Sequence, residues 1–135
     1  MSKQIQLAFI SVFLIWSAID YVLHDYILIS AYKSTTDLWR AAYNEKIFTF
    51  YLVVFVAALI FVCIYALFFK TKNFKTALIY GFLFGICKGI TIGYGTYATM
   101  PIPKLVAFGW FVGFTLKGIA GGGVLGLMVK ENDDS

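Results

Sequence analysis

Four long apolar stretches, residues 5–29, 47–69, 74–98 and 105–129, dictate what this chain can become. Each is longer than the roughly 20 residues an α-helix needs to cross about 30 Å of hydrocarbon. Lipid offers the backbone no hydrogen-bonding partner, so stretches of this length must fold as helices. The chain therefore reads as an all-α, four-helix transmembrane bundle, a single integral membrane domain over residues 1–135. The first stretch is too long for the apolar core of a signal peptide and lacks a small-x-small cleavage site.

Composition agrees with lipid as the main partner. Apolar residues make up 61% of the chain and charged residues only 13%, whereas soluble domains carry about a quarter charged and under half apolar. The net charge is +4, but no basic run interleaves with aromatics, which excludes a nucleic-acid partner. The densest basic cluster is the turn "KTKNFK", residues 70–75. Short basic loops stay cytoplasmic, and four crossings place both termini on that same side. Cys63 and Cys87 fall within apolar stretches, where a free thiol packs as a small hydrophobe.

The connection between the first two spans, "SAYKSTTDLWRAAYNEK", should then face outward. "STTD", Ser34 to Asp37, has the form of a capping box before a short interfacial helix. Leu38, Trp39, Ala42 and Tyr43 would share its apolar face, with Trp39 and Tyr43 in the aromatic belt. The last hairpin turns at "MPIPK", where Pro101 and Pro103 cannot continue the third helix.

Glycines recur every fourth residue in the third span, at Gly81, Gly85, Gly89 and Gly93. Such a glycine zipper lines one helix face and lets another backbone approach closely. The fourth span answers with Gly118, Gly122 and Gly126, beside Gly109 and Gly113. The two faces are expected to pack on each other, with a homo-oligomer contact as the rival use. A short echo, "KGITIGYG" at 88–95 and "KGIAGGGV" at 117–124, hints at an inverted repeat.

Charges inside these spans are the candidate functional residues. Lys88 and Lys117 lie 14 and 15 residues from Ile102 at the turn between their helices. At ~1.5 Å per residue both sit roughly 20 Å deep, near the bilayer centre. A charge there costs about 2.5–3.5 kcal/mol on insertion scales. Asp20, in the first span, lies at a similar depth, and His24 follows it by four residues on the same face. Asp20 is expected to face the Lys88/Lys117 pair. One carboxylate cannot balance two ammoniums, so a neutral lysine, an inward-reaching Asp25, or a bound anion would complete the balance. Tyr21, Tyr94 and Tyr97 are candidate hydroxyl partners.

Catalysis fits less well. Ser17, Asp20 and His24 share a face, but Ser17 and His24 are two helical turns, ~10 Å, apart, too far for a nucleophile and its base. No metal site or cofactor is expected from a chain with one histidine and no thiolate pair.

The stretch "WSAIDYVLHDYILISAYKSTTDLWR", residues 16–40, with the Gly-rich hairpin around "MPIP", resembles small four-span bacterial membrane proteins of no known activity. The resemblance implies a bacterial inner-membrane setting and no functional residue. The sequence thus points to a non-enzymatic protein binding or passing a small ion or proton at an Asp/Lys seam. The alternative is an accessory or assembly subunit of a larger membrane complex.

Overall fold

A computed structural model of the chain describes residues 1–40 and 46–131. Every regular element among them is helical. Helix α1 (Lys3–Val22) runs into a wide π-type turn at Leu23–Ile27, followed by the short α2 (Ile29–Lys33) and a 3-10 turn at Thr36–Leu38. Then come α3 (Ile47–Phe68), α4 (Phe74–Lys88), a second wide turn at Gly89–Tyr94, α5 (Gly95–Thr99) and α6 (Lys104–Met128). Four continuous helical segments are long and apolar enough to cross a membrane: Lys3–Ile27, Ile47–Phe68, Phe74–Thr99 and Lys104–Met128. Their starts follow from local chemistry. The Ser2 hydroxyl accepts from the Ile5 amide at 3.3 Å, and the Asn73 side chain accepts from the Thr76 amide at 2.8 Å, each covering a donor the first helical turn leaves unpaired.

The spans run up and down. Ala8 and Val12 pack in one cluster with Leu125 and Val129, so the start of α1 and the end of α6 lie at one end of the bundle, the terminal end. At the other, distal end, Ile102 and Val106 meet Ala31, Tyr32 and Trp39. Helix α1 packs on α3 and α6, and α6 packs on α4.

The α4–α6 seam is made by glycine. A side-chain carbon on Gly85, Gly89 or Gly93 would stand 2.6, 2.8 or 2.7 Å from the carbonyl oxygens of Phe114, Phe111 and Ala107. At Gly81 and Gly118 each such carbon would land on the other residue's carbonyl oxygen. Gly122 and Gly126 press in turn on the backbone of Ala77 and Phe74. Gly109 and Gly113 belong to another seam, meeting the side chains of Leu28 and Leu23 on the first span.

Aromatic rings close the remaining side. Tyr80 stacks on Phe61 with centroids 4.8 Å apart, and on Tyr65 at 5.9 Å. Its hydroxyl donates to the Phe61 carbonyl at 2.9 Å. Removing that hydroxyl in Tyr80→Phe keeps the ring and is expected to cost about 1 kcal/mol. Thermal unfolding in detergent checks this, and an unchanged midpoint would show that the bond contributes nothing.

The connection after the first span departs from expectation at "STTD". Ser34 does not cap a following helix: its hydroxyl, like that of Thr35, donates back to the Ala31 carbonyl, at 2.9 and 2.8 Å. Both hydroxyls are thus used in ending α2, and a 3-10 turn at Thr36–Leu38 follows it. Trp39 is drawn onto the bundle, its Nε1–H donating to Thr35 Oγ1 at 2.9 Å and its ring meeting Tyr32 and Trp110. Ala42 and Tyr43, expected on the interfacial face, lie outside the described residues.

Candidate functional site

Ala8, Val12, Trp16 and Asp20 recur every fourth residue and form the buried face of α1. The last of them brings a carboxylate inside. Asp20 Oδ2 accepts from Lys117 Nζ at 2.7 Å, and the residues are only 4% and 6% exposed. Burial at this level is tolerable only because each charge has its counterpart.

Lys117 is held by more than its partner. The Trp16 indole N–H donates to the Lys117 main-chain carbonyl at 2.7 Å. Gly121 makes room for this, since a side chain there would lie 3.0 Å from the indole nitrogen and 2.8 Å from the Phe61 ring. The ammonium itself lies 5.4 Å from the Trp16 ring and 5.1 Å from that of Phe114, within cation–π range. A salt bridge, a main-chain hydrogen bond and two ring faces converge on one residue.

Lys88 is not paired with Asp20. Its Nζ lies 5.7 Å from the Phe114 ring, and no carboxylate among the described residues is within salt-bridge distance of it. It borders the same space, however. A cavity of about 130 Å³ is walled by Asp20, His24, Lys88, Lys117, Trp16 and Phe114, with α3 closing the far side through Phe50, Val53, Val54 and Ala57. Gly85 and Gly118 also line it, and their missing side chains leave the room.

Distal to the ion pair, the first span widens. The Leu28 amide reaches back five residues to the Leu23 carbonyl at 2.8 Å, a π-type turn that adds one residue to the helical circuit. Leu23 and Leu28 both stay buried across it. Within the wide turn, His24 Nδ1 meets the Tyr32 hydroxyl at 2.6 Å, and that oxygen accepts from the Trp110 indole N–H at 2.7 Å. The other ring nitrogen, Nε2, is 4.0 Å from Asp20 Oδ1. His24 thus stands between the buried pair and an aromatic cluster at the distal end.

It stands between cavities too. A space of about 530 Å³ near the distal end is lined by Asp25, Tyr32, Lys33, Trp39, Arg40 and Trp110, together with His24 and Phe50. A third, of about 160 Å³, lies between Asp20, Leu23, Trp110 and Lys117. All three share His24 and Phe50, whose rings meet edge-on with centroids 5.8 Å apart.

Asp20, His24, Lys88 and Lys117 therefore gather at one place. Asp25 does not reach inward; it lines the distal cavity. Tyr21 is half exposed and its hydroxyl is 3.4 Å from that of Tyr26, away from Asp20. Tyr94 and Tyr97 are also exposed and line none of these cavities. The Ser17 hydroxyl has no hydrogen-bond partner among the described residues, so it is not joined to His24. The Lys-Gly-Ile echo is not repeated in local structure: α4 gives way to a wide turn after Lys88, whereas α6 continues through Lys117. Sequence reasoning missed Trp16, Tyr32, Phe50, Trp110 and Phe114, aromatic residues that read as generic span filling.

No protein-family model matches this chain, and no curated protein or solved structure is significantly similar to it.

Proposed function

We propose that this chain is a non-enzymatic membrane protein that binds or passes a small ion or proton in the cavity beside Asp20, Lys117 and Lys88. One observation supports this above the rest. A buried ion pair and an ammonium with no salt-bridge partner among the described residues border a space that shares His24 and Phe50 with a larger distal cavity. Ionisable side chains inside a bilayer are costly and belong to pathways or to assembly. The summed charge of the two lysines and one aspartate favours an anion. The 4.0 Å gap between His24 and Asp20 is one that a single water bridges, which would extend the route toward Tyr32. With the short basic turn at 70–75 inside, the distal cavity faces outward and both termini are cytoplasmic, in keeping with the bacterial inner-membrane setting.

The test is ion or proton flux in proteoliposomes. Lys88→Met and Lys117→Met are expected to lower it about tenfold or more, with Lys88→Met leaving the Asp20–Lys117 pair intact. Flux that is absent in the native protein, or unchanged in both variants, removes the reading.

A second reading, an accessory subunit of a larger complex, is favoured by the convergence of Trp16 and Asp20 on Lys117, which clamps two helices whatever else the site does. Co-purification with larger membrane partners after gentle solubilisation would support it, and a lone stable oligomer would count against it.

A further inference from the structure

The central cavity is open sideways. Spans α3 and α4 touch through rings near the terminal end, where Phe61 meets Tyr80 and Phe84. Beyond Phe84 no ring contact or hydrogen bond joins them among the described residues. There Lys88 and Ile92 face Val53 and Ala57 across the cavity instead. Val53 lines that space and is yet 62% exposed, so the wall containing it is reached from the hydrocarbon. The crevice thus has an apolar mouth in the membrane and an ammonium at its inner edge.

We propose that this crevice takes the carboxylate head of a single-chain amphiphile, of the fatty-acid class, which reaches Lys88 sideways from the bilayer while its tail stays between α3 and α4. The proposal rests on the preceding reading for the anionic character of the ligand and adds its chemical class and its path. Charge argues for it: Asp20 balances Lys117, and the remaining positive charge on Lys88 matches one carboxylate. Size argues for it as well. About 130 Å³ holds a carboxylate with several waters, since a single water needs a cavity of roughly 10–15 Å³. A bulky sugar-bearing head would not fit. The walls agree too, because an acyl chain loses nothing by lying along Val53, Ala57 and Ile92, whereas a free hydrated anion must leave its water at an apolar mouth.

The full-length protein in detergent, titrated with oleate, oleyl alcohol and acetate, tests the proposal by equilibrium binding. Oleate is expected to bind at about one equivalent, with about tenfold or greater preference over oleyl alcohol. Lys88→Met should remove that preference, Lys88→Arg should retain it, and Val53→Trp, which narrows the mouth without touching the charge, should weaken oleate while sparing acetate. Acetate binding as tightly as oleate, or oleate binding indifferent to Lys88, would overturn the proposal. The two readings fail separately. Lys88-dependent ion flux without oleate binding sinks only the amphiphile, and Lys88-dependent oleate binding without flux sinks only the transport of ions.

Discussion

Asp20→Ala is expected to destabilise the solubilised protein by about 3 kcal/mol or more, while Asp20→Ala combined with Lys117→Met recovers most of that loss. The reason is asymmetry. Removing one member of a buried ion pair costs about 3–5 kcal/mol because it strands the other charge. Lys117 would be left 6% exposed with only the Trp16 and Phe114 rings for company. Such contacts contribute about 0.5–2 kcal/mol, too little to hold an ammonium in an apolar interior. Replacing both partners by apolar groups leaves nothing stranded. The Trp16 hydrogen bond survives the double change, since it is made to the Lys117 backbone. Thermal unfolding of the two single variants and the double variant measures the coupling. Were the double variant as unstable as Asp20→Ala alone, the ion pair would not be what Lys117 needs.

The second large effect is steric. Gly81→Ala is expected to cost about 3 kcal/mol or more, whereas Gly123→Ala, on the neighbouring helix, should be neutral or stabilising by up to about 1 kcal/mol. The new methyl at Gly81 would fall on the Gly118 carbonyl oxygen, with Gly122 Cα and N both 2.8 Å away. All three obstacles are backbone, so no side chain can rotate aside and α4 must move off α6. Overpacking a tight contact costs about 1–3 kcal/mol where side chains can adjust, and here they cannot. A side-chain carbon on Gly123 would meet nothing within 4 Å, and alanine is the better helix former by about 0.8–1.0 kcal/mol. Equal midpoints for the two variants would mean that the close approach of α4 and α6 is not what holds the hairpin.

Much of this architecture was legible from residue order because lipid allows so few solutions. Apolar length dictated the four helices, and their ends fall within two residues of the stretches read from the sequence. Depth was legible for the same reason: counting at a fixed rise brought Asp20, Lys88 and Lys117 to one level. What counting does not supply is direction around the helix. Tyr21 is next to Asp20 in sequence and therefore ~100° away around the axis, so it points outward. Tyr94 lies in a wide turn that alters this phase, and Tyr97 follows it. Both wide turns escaped the reading, because a π-type turn arises from how a helix meets its neighbours and carries no reliable signature of its own. Tyr32 escaped as well. It reaches His24 only because the first span widens and α2 follows, an arrangement foreshadowed at most by a tyrosine near the end of the first span and Trp110 near the start of the last.

The double attachment of the first helix to Lys117 has a mechanical consequence. A main-chain hydrogen bond from Trp16 and a side-chain salt bridge from Asp20 grip the same residue one helical turn apart, which blocks both sliding and swivelling of α1 along α6. Since α6 is also seated backbone to backbone on α4, these three helices form a fixed frame. The distal half of α3 is tied to that frame from one side, Phe50 meeting His24 and Phe55 meeting Phe9 and Phe13 on the first span, while toward α4 no ring contact or hydrogen bond holds it beyond Phe84 among the described residues.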